Sequence, residues 1–145
     1  MAIIPQQTYF EWTELEKLGD LERLQLVINH MPDEELMQIL EKQRGKGRND
    51  YPVRAVWNSI LAGVVYQHPT VESLRRELAR NGQLRFMCGF RSQKAVPGAD
   101  VYSRFLKNLL NNNKLIDAIL NQLVDELETQ LPDFGKDLAI DGKAI

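Results

Sequence analysis

The sequence predicts a mainly α fold, a multi-helix bundle with a short β-strand or hairpin at its C-terminal end. Three observations predict it. Apolar residues recur at three- and four-residue spacing as far as residue 131. Capping residues, Pro and Gly punctuate those runs at helix-sized intervals. Only after Pro132 does the character change, to the alternating "DLAIDGKAI" with its β-branched residues. A chain of 145 residues can bury roughly two-thirds of its surface in one core.

The elements follow in order. Asp20 is placed to cap a helix through "LERLQLVINHM", with Leu21, Leu24 and Ile28 on one stripe. Pro32 at a first helical turn opens "DEELMQILEKQ", whose early acids Asp33, Glu34 and Glu35 suit the positive end of the helix macrodipole. "RGKGRND" is a basic linker. Pro52 then leads into the most apolar block, "VRAVWNSILAGVV", with Val53, Val56, Trp57, Ile60, Leu61 and Val64 on a wide stripe, and "QHP" ends it. Thr70 caps "VESLRRELARNG", which stops at Asn81-Gly82 in the manner of a left-handed C-terminal cap. A short helical piece, "QLRFMCGF", a loop, "RSQKAVPG", and a helix capped by Asp100, "VYSRFLKNLL", come next. The long helix "KLIDAILNQLVDELETQL" carries Leu115, Ile116, Ile119, Leu123, Leu127 and Leu131 along one side, a stripe read as core or as a protein-interaction face.

Composition excludes several classes. Hydrophobic content of 43% with 26% charged residues is that of a soluble globular protein. No apolar run approaches the ~20 residues of a membrane span, and "MAIIPQQTYFEW" lacks the basic start and apolar stretch of a signal peptide. Cys88 is the single cysteine, set among Phe86, Met87 and Phe90 as a buried, inert thiol. A cytoplasmic, bacterial location is the expectation. His30 and His68 have no partner ligand at metal spacing. "DFG" at 133–135 lacks every other kinase element.

The net charge of −2 conceals an asymmetry. Residues 1–43 balance at −6, residues 44–107 at +8 and residues 108–145 at −4. A basic middle between acidic ends is an electrostatic footprint suited to a phosphate backbone, although the same charges also fit a solvated surface. On a helical wheel Glu72, Arg76 and Arg80 form a row opposite Val71, Leu74 and Leu78, with Arg75 to the side. In the later helix Arg104, Lys107 and Asn111 lie opposite Val101, Tyr102, Phe105 and Leu109. These six residues, Arg75, Arg76, Arg80, Arg104, Lys107 and Asn111, are the candidate DNA contacts, because guanidinium, ammonium and amide groups grip phosphates and read base edges. The alternative is a solvated face on which Glu72 pairs with Arg76. About twenty residues separate the two helices, too many for a simple helix-turn-helix.

"YPVRAVWNSILAGVVYQHPTVESLRRELARNGQLRFMCGF" followed by "PGADVYSRFLKNL" resembles the helical N-terminal domain of bacterial insertion-sequence transposases of the InsH type. The likeness lies in the Pro-led apolar helix, the capped "ESLRREL" helix, the aromatic-Gly piece and the "YSRF" helix. "LPDFGKDLAIDGKAI" resembles the segment where an RNase H-like catalytic domain begins, with "IDG" on its first strand. The resemblance covers roughly residues 44–145 and more loosely 1–43. It implies an acidic N-terminal helical segment (1–43), a basic helical DNA-binding domain (44–131) and the first strand of a truncated catalytic domain (132–145). It also implies that Asp141 is the first acid of a DDE set. In an intact enzyme that set would hold Mg²⁺ and carry out metal-dependent phosphoryl transfer at double-stranded transposon ends. The other two acids are absent from the chain, so no cleavage or joining by the chain alone is expected. A homodimer is compatible with this reading. Asp-Gly between "LAI" and "KAI" is equally a hairpin turn signal. The alternatives to the transposase reading are a non-catalytic DNA-binding regulator and a protein-interaction module.

Overall fold

The computed structural model describes residues 19–44, 51–131 and 133. Among these, seven α-helices succeed one another: α1 (Leu21–His30), α2 (Glu34–Arg44), α3 (Val53–Val65), α4 (Val71–Arg80), α5 (Gly82–Cys88), α6 (Ala99–Asn111) and α7 (Asn113–Gln130). A 3₁₀ turn, Gln93–Ala95, precedes α6. No strand occurs among the described residues. The C-terminal strand or hairpin expected over 132–145 lies outside them, apart from Asp133, which is in a turn.

The bundle is built around α3, which contacts α1, α2, α4 and α5. Its sequence explains this position: Val53, Val56, Trp57 and Leu61 are buried together with the small Ala55, Ser59 and Ala62. Small side chains let neighbouring helices approach, and each buried Val or Leu contributes about 1.5–3 kcal/mol. The expected stripe is therefore rotated. Ile60 is only half-buried, and Val64, in the last turn, is 73% exposed. Leu21, Leu24, Leu36, Met37 and Leu40 of α1 and α2 join the same hydrophobic cluster as α3, so the acidic and basic stretches share one core.

Asp33 and Ser59 are paired inside that core, whereas Asn58 donates through Nδ2 to the Cys88 carbonyl at 3.3 Å and its buried Oδ1 has no hydrogen-bond partner among the described residues. Asp33 is 3% exposed and accepts from Arg54 Nη1 (2.6 Å) and Trp57 Nε1 (2.6 Å), tying the start of α2 to α3. Ser59 Oγ donates to the Val56 carbonyl at 2.6 Å, so its lone pair receives the Tyr102 hydroxyl at 2.8 Å. That bond fastens α6 to α3. Burial pushes the Tyr102 phenol up to about 12, against the smaller opposing effect of the Ser59 bond. Cys88 is buried, as its apolar neighbours predict, and desolvation raises its thiol to about 12.

Several caps differ from the sequence reading. Thr70 does cap α4, accepting from the Ser73 amide at 3.1 Å. Asp20 and Asp100 do not cap. Asp20 has αR backbone angles and makes no side-chain cap bond, while the N-cap of α6 is Gly98, which puts Asp100 in the first turn. Helix α2 starts at Glu34, after Pro32 and Asp33; the Asp33 carbonyl accepts from the Met37 amide at 3.0 Å, and its carboxylate is turned to Trp57 and Arg54. Asn81 is extended (φ −100°, ψ 102°) rather than left-handed, and its side chain caps α5 by accepting from the Leu84 amide at 3.1 Å. The left-handed terminator is Gly89 (φ 109°), where glycine avoids the Cβ penalty.

Helix α7 departs most from expectation. None of its residues is buried. Leu115, Ile116 and Ile119 pack partly against the core, and the helix contacts α2 and α6. Further along, Leu120, Val124, Leu127 and Leu131 are exposed. The apolar stripe is core in its first two turns only, because the described bundle supplies no helix alongside the rest.

Candidate nucleic-acid interface

The basic residues singled out from sequence lie on α4 and α6, which pack against each other. Leu74 of α4 and Tyr102 of α6 are both buried and line one groove between these helices, opposite the exposed polar faces. Arg76 and Arg80 are exposed on α4, and Arg104, Lys107 and Asn111 are exposed on α6.

Their states differ. Arg75 is half-buried and committed to the fold. Its Nε donates to the Pro97 carbonyl at 2.9 Å, and its Nη1 pairs with Glu72 at 2.8 Å. It braces α4 against the loop that leads into α6, and Glu72 pairs with it rather than with Arg76. Arg80 pairs with Glu77 at 2.5 Å and Arg104 with Asp100 at 3.3 Å. Both pairs span one helical turn with the guanidinium about three-quarters exposed, and such pairs contribute about 0.3–0.5 kcal/mol. A phosphate competes easily for these groups. Arg76 and Lys107 have no side-chain hydrogen bond or ion pair among the described residues. No such bond joins the α4 row to the α6 row.

A cleft of about 360 Å³ opens beside α6, between it, α2 and α3. Arg104 and Asn108 form one wall, Gln43 and Arg44 the other, Tyr51 borders it, and Val56 and Phe105 contribute to an apolar floor. Two arginines and no carboxylate line it among the described residues. The walls are held by a reciprocal amide pair: Gln43 Nε2 donates to Asn112 Oδ1 (3.2 Å) and Asn112 Nδ2 to Gln43 Oε1 (3.0 Å). Sequence reasoning missed this cleft, because helix-wheel patterns do not bring residues 43 and 112 together. It also missed Arg85, whose Nη1 donates to the Leu78 and Ala79 carbonyls at 2.9 and 2.8 Å. A basic residue soon after a helix end was the available signal, since such residues satisfy the last carbonyls.

A second, more apolar groove of about 390 Å³ lies between α3, α4 and α6, lined by Val64, Leu74 and Leu106 among others. His68 sits at its edge with Nδ1 2.8 Å from Ser73 Oγ. Among the described residues no group of three or more His, Cys, Asp or Glu could hold a metal ion. Asp141, the expected first acid of a metal site, lies outside the described residues. Among the described residues, no helix is long and apolar enough to cross a membrane.

A family model described as a transposase domain, DUF772, matches residues 10–108. The matched span takes in α1 to α5 and most of α6, including Arg75, Arg76, Arg80, Arg104 and Lys107. No curated protein and no solved structure matches the chain.

Proposed function

The chain belongs to the transposase domain family DUF772, and from that membership we propose that it is the helical, DNA-binding part of a transposase. The observation that carries this reading is the pair of outward basic rows on α4 and α6. Arg76 and Lys107 have no side-chain partner among the described residues, and Arg80 and Arg104 are held only by weak exposed pairs. Cations left over by the fold are the groups that a polyanion engages at least cost. Double-stranded DNA at transposon ends is the proposed partner, gripped mainly through its backbone. Arg75 positions α4 and contributes charge from the side.

A duplex-binding measurement over a salt series tests this. The wild-type chain should bind at low salt with an affinity that falls as salt rises. Replacing Arg76, Arg80, Arg104 and Lys107 together by Ala should weaken binding at least about a hundredfold and lower the salt slope by about 3. Equal binding by the quadruple variant would sink the assignment.

The finer reading is that an intact enzyme of InsH type would use a DDE set with Mg²⁺ for strand cleavage and joining. Its support in this chain is the resemblance around Asp141, since no metal-binding set lies among the described residues. Because this chain alone is not expected to cut or join DNA, strand-transfer assays with Mg²⁺ on a protein that carries this chain together with the other two acids separate this reading from that of a regulator that binds DNA without catalysis. A second role is favoured by one observation, the exposed Leu120, Val124 and Leu127 on α7, with exposed Leu131 at its C-cap. The 4-3 spacing of the three helical residues matches a heptad seam with Val at the a position and Leu at both d positions, a pattern that suits a two-stranded homodimer. Sedimentation equilibrium should then show self-association that is lost on Leu127→Asp, and a monomer at all concentrations would remove this role.

A further inference from the structure

We propose that the cleft between α2, α3 and α6 is a seat for a phosphate group of the DNA backbone, with Arg44 and Arg104 as its two jaws. This rests on the DNA-binding reading and extends it to a helix, α2, that lies outside both basic rows. The charge of the cleft carries the argument. Among the described residues its lining contains two guanidinium groups and no carboxylate, above an apolar floor that includes Val56 and Phe105. Low-dielectric walls strengthen the attraction between fixed cations and an anion, and they focus the field at the mouth.

Arg104 is available at low cost, whereas Arg44, with its side chain 27% exposed, keeps an interaction besides its pair with Glu41. Arg44 pairs with Glu41 at 3.0 Å and Arg104 with Asp100 at 3.3 Å. Each pair lies within one turn of its own helix, with the carboxylate side chain 46% exposed at Glu41 and 78% at Asp100. Such pairs contribute little and yield to a bidentate phosphate contact, which fits the planar guanidinium fork. Lys42 and Arg44 in the last turn of α2 also offset the partial negative charge of that helix end.

The cleft is set before the ligand arrives. The Gln43–Asn112 amide pair fastens the end of α2 to the α6–α7 junction, and Asn112 Nδ2 also donates to the Asn108 carbonyl at 2.8 Å. The helix ends that carry the two jaws are thus tied together, and preorganisation of this kind reduces the ordering cost of binding. Arg104 is shared with the outward row of α6, so a strand lying along Lys107 would bring a neighbouring phosphate to the cleft mouth.

The test uses the full chain, a labelled duplex and a salt series, with three cleft variants and one double variant of the basic rows. Arg44→Ala should weaken binding about fivefold to tenfold at fixed salt and lower the salt slope by about 1. Arg44→Lys should keep the slope and lose part of the affinity. Glu41→Gln, which releases Arg44 from that ion pair, should tighten binding about twofold to threefold, a gain that a purely structural Arg44 would not produce. Thermal melts of these variants should stay within a few degrees of the parent.

If Arg44→Ala and Glu41→Gln both bind as the parent does while the Arg76→Ala/Lys107→Ala double variant is weakened, the cleft assignment is wrong and the basic rows stand. If the parent chain does not bind the duplex at low salt, the DNA-binding reading and the DNA source of the phosphate both fall. Inorganic phosphate is then the deciding probe. A shift of the Arg44 Nε–H resonance on phosphate addition would replace the DNA phosphate by a free phosphate ion, and no shift would overturn the seat altogether.

Discussion

Replacing Asp33 by Ala should cost more than any other single change of an acidic residue among the described elements. The carboxylate is 3% exposed and accepts from two donors on α3, each at 2.6 Å. The two losses are unequal. Arg54 has a side chain 38% exposed and keeps Glu34 at 2.9 Å, so its share is screened and amounts to about 1 kcal/mol. Trp57 is 8% exposed, and without Asp33 its indole N–H has no acceptor, a loss of about 1–3 kcal/mol. The sum is about 2–4 kcal/mol, or roughly 6–12 °C in Tm for a chain of this length. Asp33→Asn retains an acceptor for Trp57 and should lose about half as much. Thermal and urea unfolding followed by circular dichroism measure both. Trp57→Phe removes the donor, so Asp33→Ala should cost at least about 1 kcal/mol less in that background. A Tm drop under about 3 °C, or strict additivity with Trp57→Phe, would refute the argument that the indole bond carries the larger share.

Four further outcomes follow from the packing. Cys88 should resist alkylation at pH 8 in the folded chain and react after unfolding, since burial holds its thiol near 12; fast native labelling would contradict the burial. Stability should fall in alkali. Both Cys88 and Tyr102 have folded values raised above their ordinary 9.0 and 10.0, so their contributions are complete below those values and are lost towards about 12. Cys88→Ala should remove the part of the decline that starts near pH 9 and leave the Tyr102 part, and an unchanged urea-midpoint profile would count against it. Gly89→Ala should cost about 1–2 kcal/mol, because φ is 109° and the new Cβ would sit 3.4 Å from Ala55 Cβ; a neutral result would show that the turn relaxes. By contrast, Leu120→Gln with Val124→Gln should change the unfolding free energy of the monomer by less than about 0.5 kcal/mol, as both side chains are solvent-exposed.

The helices were legible because their signals are local. Thr70 is followed by the "ESLRREL" pattern, and α3 and α4 run over the residues that capping and Pro placement indicate. Where two local rules compete, the sequence is silent. Asn81-Gly82 suits either the end of one helix or the start of the next, and the structure uses Asn81 for the start. Asp33 looks like an ordinary first-turn acid, and only the tertiary approach of α3 turns it into a buried acceptor. The candidate surface was legible in the same partial way. Periodicity showed which arginines face away from each helix, yet it could not show that Arg75 is committed to the Pro97 carbonyl. Nor could it pair Gln43 with Asn112, since that contact depends on how helices distant in sequence cross.

The Asp33 bridge also sets an order of events during synthesis. When α1 and the start of α2 leave the ribosome, the carboxylate has neither of its α3 partners, because Arg54 and Trp57 lie 21 and 24 residues further along the chain. At roughly 5–20 residues per second, that gap lasts about one to five seconds. Over that interval α1 and α2 can form turns and collapse loosely, but the charge keeps the start of α2 in water. The emergence of α3 is therefore the step that commits the N-terminal helices to the bundle.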